Sequence, residues 1–339
     1  MGGRIPTITV GIATLDRYPY VADLLDDLAA QTHLPDEVVI VDQTAPHRRQ
    51  PFETTRWSHA FPMRVVVQET RGTTKARNRL LRECRSEVIL QPDDDSRIDP
   101  DYVEHHVQHY ADDRVDVVSG PVYEWDADTR EWYVKWSNHL MIGGWNGPAF
   151  ASGHSFAGGN SSIRVASALA IGGWDENILT HGEDEDLSDR LLAADAVIVY
   201  DPKARLLHLR APRGGERAAE WGSGPDGNWR VLAGYLYYFL ANRPPYDAWE
   251  MFREYTIRPF WHIKHRRTSV GLRLLPRVAA AIPVSTWRWV RGRRLIDPAS
   301  PDREVRRIPK KEVAQWRRRL AAKRPRTVLP DRDPPQLPL

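Results

Sequence analysis

Across the first 120 residues, short apolar runs alternate with stretches of helical spacing. Ile8–Ile12, Glu37–Val41, Arg64–Gln68, Val88–Leu90 and Val115–Ser119 read as strands. Tyr20–Gln31, Thr74–Cys84 and Tyr102–Tyr110 read as helices between them. Strands that follow one another in this way pair in parallel only if the chain crosses back between them, and a helix is the usual crossover. The rhythm therefore predicts an α/β fold with a mostly parallel sheet covered by helices. Ligands of such sheets gather beyond the carboxyl ends of the strands.

One strand end stands out. Val88–Leu90 runs into Gln-Pro-Asp-Asp-Asp-Ser, with Asp93, Asp94 and Asp95 side by side. A solvated turn is the plain alternative, because Asp is common in turns. Three adjacent carboxylates repel, however, and at a strand end the triplet favours a divalent cation. A second acidic cluster, HGEDEDLSDR, opens a helix marked by Leu187, Leu191 and Leu192. Acids at a helix start are stabilised by the dipole, and Asp186 is placed to pair with Arg190 four residues on. Glu185 is expected to be solvated. Glu183 and Asp184, at the helix mouth, are the candidates for general-base chemistry.

Gly158-Gly159-Asn160 lies between the clusters and permits close approach of backbone to a ligand. Val197–Tyr200 reads as a further strand, and His208 falls on another short one. A lone His in an apolar segment is more often packed than ligating. An acidic metal site nearby shifts the reading toward a ligand. No G-x-G-x-x-G follows the first strand and no P-loop motif occurs, which removes the main support for a dinucleotide oxidoreductase or a P-loop enzyme.

Of the 339 residues, 41% are hydrophobic and 27% charged, enough to bury a sizeable core. The single cysteine, Cys84, excludes an intrachain disulfide and fits a reducing, cytoplasmic setting. No signal peptide is read at the N-terminus, and the uncharged stretch Val278–Trp287 is too short to span a bilayer. The net charge of +3 hides an asymmetry: from Trp261 onward 21 Lys and Arg face 6 Asp and Glu, giving +15 there and −12 elsewhere. The chain is expected to divide into a region of mainly βαβ pattern, 1–217, a Tyr- and Trp-rich helical region, 218–265, and a basic amphipathic tail, 266–339, with a disordered end. Ser269–Ile296 mixes Leu, Val, Ile and Trp with Arg. It reads either as an interfacial element on an anionic membrane surface, peripheral at the inner face of the cell membrane, or as a helix packed on the catalytic region.

Taken in order, these pieces resemble a family 2 glycosyltransferase of the GT-A fold, an inverting enzyme dependent on nucleotide sugars. VGIATLDR resembles the opening strand and loop, VIVDQT the nucleotide-recognition strand, and TRGTTKARNRLL the Gly-x-x-x-Ala-Arg-Asn segment. PDDDS carries the D-x-D signature as Asp93 and Asp95, followed by GGNSSIR, IGGWDE, GEDEDLSDRL and His208. Ala13, Leu15 and Asp16 depart from the usual loop and Gln43 replaces a frequent Asp, which leaves the base open.

The resemblance implies Asp184 as catalytic base with Glu183 in reserve. It implies Ala13, Thr14, Asp16, Arg17, Asp42, Gly72, Lys75, Arg77, Asn78, Asp93, Asp94, Gly159 and Asn160 around the nucleotide sugar. Mn²⁺ or Mg²⁺ would be held by Asp95 and His208. Trp145 and Trp174 are either acceptor platforms or core. The implied partners are a nucleoside diphosphate sugar donor and a glycan or lipid-linked acceptor. Two other classes stand beside this one: a metal-dependent nucleotidyltransferase, and a non-enzymatic protein whose basic tail holds membrane or nucleic acid. No RNA-binding aromatic motif supports nucleic acid, which is not expected as a partner.

Overall fold

The computed structural model describes residues 4–126, 131–136, 156–178, 182–215, 229–242 and 268–315, with the single positions 253 and 264. Trp145, most of region 218–265 and the chain after residue 315 lie outside these. The strands β1 (Ile8–Thr14), β2 (Glu37–Asp42), β3 (Met63–Val67), β4 (Val88–Leu90), β6 (Val115–Ser119), β9 (Ser161–Arg164) and β10 (Val197–Tyr200) form one seven-stranded sheet in the order β10-β6-β9-β4-β1-β2-β3. All neighbours run parallel except β9, which is antiparallel to β4 and β6.

β2 is buried along its whole length, as an interior parallel strand must be. α1 (Tyr18–Ala29) buries Val21, Leu24, Leu25 and Leu28, one stripe at helical spacing. These residues join α3 (Tyr102–Val107) in the core on one face of the sheet. α2 (Thr73–Glu83), α4 (Val165–Ala170) and α5 (Glu183–Leu192) cover the other face through Ala76, Leu80, Ala168, Leu187 and Leu191.

The chain moves outward from β1 through β2 to β3, then returns to place β4 on the other side of β1. That reversal opens a crevice between the loops that follow β1 and β4, the usual ligand position in open α/β sheets. A second sheet, β5 (Ser96–Ile98), β11 (Leu206–His208), β7 (Val122–Asp126) and β8 (Glu131–Trp136), stands beside it in that order. α6 (Trp229–Asn242) packs against α7 (Thr268–Arg291), and β12 (Arg293–Ile296) pairs with β13 (Val305–Ile308).

This last hairpin is fastened to the body that carries the seven-stranded sheet. Ile296 N–H donates to the Gly172 carbonyl at 2.8 Å, and Glu176 N–H to the Arg294 carbonyl at 2.9 Å. Ile296 itself is buried in the core beside α2 and α4.

Candidate active site

The acidic triplet leaves β4 on a backbone tied to the Gly158–Asn160 turn: Gln91 N–H donates to Ser161 at 3.0 Å and Asp93 N–H to Gly159 at 3.2 Å. Its three carboxylates then part company. Asp93 keeps a side chain 41% exposed, facing Arg77 at 3.7 Å. Asp94 is buried and fully engaged, accepting from Thr14 Oγ1 and from Arg17 Nη1, both at 2.7 Å. Burial pushes its pKa up, Arg17 opposes this, and the neighbouring Asp95 adds to it. Asp94 thus ties the loop after β1 to the loop after β4.

Asp95 is buried, with Oδ2 accepting from Ala211 N–H at 2.8 Å. Its Oδ1 lies 2.9 Å from Arg17 Nη1 and 3.4 Å from His208 Nε2, yet has no aligned hydrogen bond. Burial would raise its pKa, but His208, Arg17 and the Ala211 N–H outweigh it and lower it. Strand register explains how His208 arrives there. β11 is antiparallel to β5, which sets His208 opposite Ser96, and parallel to β7, which sets it beside Glu124. Glu124 Oε1 holds His208 Nδ1 at 2.9 Å. Burial lowers the His208 pKa, but Asp95 and Glu124 overcome that and push it up to about 9.

Across the crevice, α5 presents Glu183 and Asp184 at its first turn. Asp184 Oδ1 accepts from Arg77 Nη1 at 2.6 Å, and Oδ2 from Gly158 N–H at 2.9 Å. Arg77 therefore touches both acidic clusters. Burial disfavours its charge, but Asp184, Asp93 and Glu183 prevail and raise its pKa. Glu183 is only half-buried as a residue, yet its Oε2 is sealed without a partner. Burial first, then the charge of Asp184, pushes the Glu183 pKa up to about 8. Gly158 and Gly159 form the floor between the clusters. A Cβ on Gly158 would overlap Asp184 Oδ1 and the Arg77 guanidinium, and one on Gly159 would overlap the Asp93 carboxylate.

These groups line one cavity of about 460 Å³, within the range of small-molecule sites. Of the residues singled out in the sequence, Ala13, Thr14, Arg17, Arg77, Asp93, Asp94, Asp95, Gly159, Glu183, Asp184 and His208 line it. Leu15, Gly158 and Glu185, the last expected to be solvated, line it as well, and the remaining candidates lie elsewhere. Asp16 turns outward to Arg48 at 2.9 Å. Asp42 is buried behind the wall, accepting from Tyr18 Oη and Thr44 N–H, both at 2.8 Å. Gly72 precedes α2, and Lys75 opens onto a separate hollow with Arg82 and Glu176.

Asn78 clamps the GGW turn, donating to the Trp174 carbonyl and accepting from its N–H, both at 2.9 Å. Asn160 joins Tyr102, His106, Pro121 and Ala204 in the core. Trp174 is buried, with Arg77 over its ring at 5.8 Å. Gln43, noted in the sequence as a departure from the family pattern, lines the cavity, whereas Glu124 and Tyr235 were not singled out. Tyr235 enters the cavity from α6, beyond any motif.

Among the described residues no cluster of three or more His, Cys, Asp or Glu side chains is placed to hold a metal. Asp95 Oδ1 and His208 Nε2 do fit two adjacent positions on one cation. At metal–ligand distances of about 2.1 Å, neighbouring octahedral ligands stand roughly 3 Å apart. Glu124 behind His208 is the outer partner that a ligating imidazole usually has. A divalent ion of this type keeps other positions for water and phosphate oxygens.

Residues 9–170 match the family model described as glycosyl transferase family 2. Over this stretch the chain is similar to glycosyl transferase family 2. No curated protein matches the sequence. Among solved structures, TarS 1–349 of S. aureus with UDP-GlcNAc is similar at 16% identity and a TM-score of 0.56, covering 82% of this chain and 81% of that one. The mannosyltransferase PcManGT of Pyrobaculum calidifontis, with GDP-Man and Mn²⁺, is similar at 19% identity and a TM-score of 0.51, covering 84% and 76%. GalNAc-T7, with UDP, GalNAc and Mn²⁺, is 14% identical with a TM-score of 0.51; the alignment covers 70% of this chain and 48% of that one. At these identities the likeness is one of fold, the GT-A glycosyltransferase fold expected from the family motifs.

Proposed function

We propose that this family 2 glycosyltransferase moves a sugar from a nucleoside diphosphate sugar to an acceptor hydroxyl with inversion, the acceptor being a glycan or lipid-linked glycan. The observation that carries the reading is Arg77, which meets Asp184 at 2.6 Å and Asp93 at 3.7 Å and so ties the α5 acid to the β4 triplet across one cavity. The nucleoside lies against Ala13, Thr14 and Gln43, with Asp42 holding the wall behind them. Asp93, the open member of the triplet, receives the ribose hydroxyls.

Asp95 and His208 would hold Mn²⁺ or Mg²⁺, which when bound supplies positive charge to the leaving diphosphate. Arg17, beside Asp95, brings a fixed cation to the same side, where negative charge develops, while Arg77 lies between that side and Asp184. Asp184 accepts the proton of the attacking hydroxyl. Its bonds to Arg77 and the Gly158 N–H leave it lone pairs for that proton, since a carboxylate has about four acceptor positions. Attack from the α5 side, opposite the diphosphate, inverts the anomeric carbon. Tyr235 beside Gly182 and Glu183 offers an aromatic face to an acceptor sugar ring.

The test is a panel of UDP-, GDP- and dTDP-sugars, scored first by thermal protection with and without Mn²⁺. The protecting donor is then followed by proton NMR through transfer or slow hydrolysis. The reading expects one donor to protect and its sugar to emerge with the opposite anomeric configuration. Retained configuration would overturn inversion, and nucleoside triphosphate formation from a sugar phosphate would favour a nucleotidyltransferase.

A further inference from the structure

α7 turns one side to the protein and leaves the other open. Val278, Ala281 and Ser285 are buried, the first two packed with Leu232, Ala233 and Leu236 of α6. Leu272, Pro276, Ala279, Pro283, Trp287 and Val290 are exposed. At helical periodicity these six fall within an arc of about 80°, forming a stripe roughly 27 Å long. Leu272 is 57% exposed, Trp287 50% and Val290 69%. Single exposed apolar residues are normal on a protein surface, but a contiguous stripe marks an interaction site.

The setting of the stripe is cationic. α7 contains no Asp or Glu. The Arg291 guanidinium lies 4.9 Å from the centre of the Trp287 ring, and Arg307 of β13 lies 5.0 Å from it. Among the described residues, no carboxylate is in ion-pair contact with Arg288, Arg291, Arg307 or Lys310. Apolar side chains beside unpaired cations complement a surface that is apolar beneath and anionic at its rim.

The prolines limit how deep such a helix can lie. Pro276 and Pro283 have no N–H, so the carbonyls of Leu272 and Ala279 lose their helical partners. Both carbonyls belong to residues of the open stripe and need water, which the hydrocarbon core lacks and the headgroup boundary provides. No helix among the described residues is long and apolar enough to cross a membrane.

We propose that α7 is a docking surface for an anionic lipid bilayer, with Trp287 and Val290 in the headgroup boundary and Arg291 and Arg307 meeting lipid phosphates. This inference does not rest on the sugar-transfer reading.

The test uses the full chain and co-sedimentation with vesicles of phosphatidylcholine alone or mixed with phosphatidylserine, at low and high salt. Binding to the mixed vesicles is expected at low salt and lost at high salt. Arg291→Glu with Arg307→Glu is expected to weaken it at least about tenfold, from roughly fivefold per basic residue near the surface. Leu272→Ser with Val290→Ser, both exposed, is expected to weaken it while leaving the unfolding temperature in place. No binding to mixed vesicles at low salt, or binding unchanged in both double variants, overturns the proposal. So does sedimentation velocity showing a dimer that the Leu272/Val290 pair abolishes, or salt-sensitive binding to short DNA without binding to vesicles.

Discussion

Asp184 shares its oxygens between Arg77 and the Gly158 N–H, so its aim depends on a residue with no side chain. Gly158→Ala pushes a methyl into Asp184 Oδ1 and Arg77 Nη1, both at the ends of movable side chains. The fold can yield there, whereas catalytic geometry cannot. Turnover is expected to fall about a hundredfold, the usual cost of misplacement by about 1 Å, with little change in unfolding temperature. Glu183 makes a separate pH prediction. Its folded pKa is pushed up to about 8 from 4.5, so the native state holds its proton over that interval while the unfolded state releases it. Stability is therefore full below about pH 4.5 and is lost as pH rises toward 8, with a slope up to roughly 1.4 kcal/mol per pH unit from this group. Glu183→Gln should flatten that part of a urea-unfolding profile; an unchanged slope would refute the assignment. At this scale the acids and His208 were legible because motif and chemistry coincide. Asn78 and Asn160 sit in equally recognisable motifs, yet their side chains are spent on Trp174 and on the core beneath the cavity.

Among the elements, the expected strands and helices of the first 120 residues match those found to within three residues at every end. The rhythm carried them because parallel strands buried on both faces have to be apolar. β9 escaped it. Ser-Ser-Ile-Arg has little strand character of its own and is held by pairing on both sides, with β4 and β6, where tertiary context overrides propensity. β5, β7 and β11 are similarly short, and their pairing brings Glu124 to His208 from 84 residues away. No local pattern encodes such a meeting. β12 brings the same kind of surprise: Arg293 is buried between Asp175 and Asp186, while Arg190, Tyr237 and Asn242 complete the network. Asp186 is held well below the usual carboxylate range; burial opposes this, but Arg190 and Arg293 prevail. The network anchors α5, hence Asp184. Arg293→Met leaves buried carboxylates short of a cation, which typically costs about 3–5 kcal/mol. A urea midpoint close to that of the unaltered protein would show that the cluster does not brace the helix.

On the scale of the whole molecule, the sequence leaves open whether the basic tail meets a membrane surface or packs on the rest of the chain, and the described part of that tail is built into the fold. Leu295, Ile296 and Ile308 are buried, each contributing about 1.5–3 kcal/mol, and Arg293 enters the ionic network. A chain ended at residue 267 is expected to unfold at a much lower temperature or without a cooperative transition; equal thermal stability would contradict this. The amphipathic pattern of Ser269–Ile296 foretold two faces but not which residues would be open, because that depends on α6. The catalytic claim also concerns an assembly, a base from α5 set against a donor site from β1 and β4. It is tested most directly by single-turnover transfer in Asp184→Asn at saturating donor, with donor affinity measured in parallel. The rate is expected to fall by about 10²–10⁴ with donor affinity within about twofold of the unaltered protein. A near-normal rate, or a loss explained wholly by weaker donor binding, would contradict it.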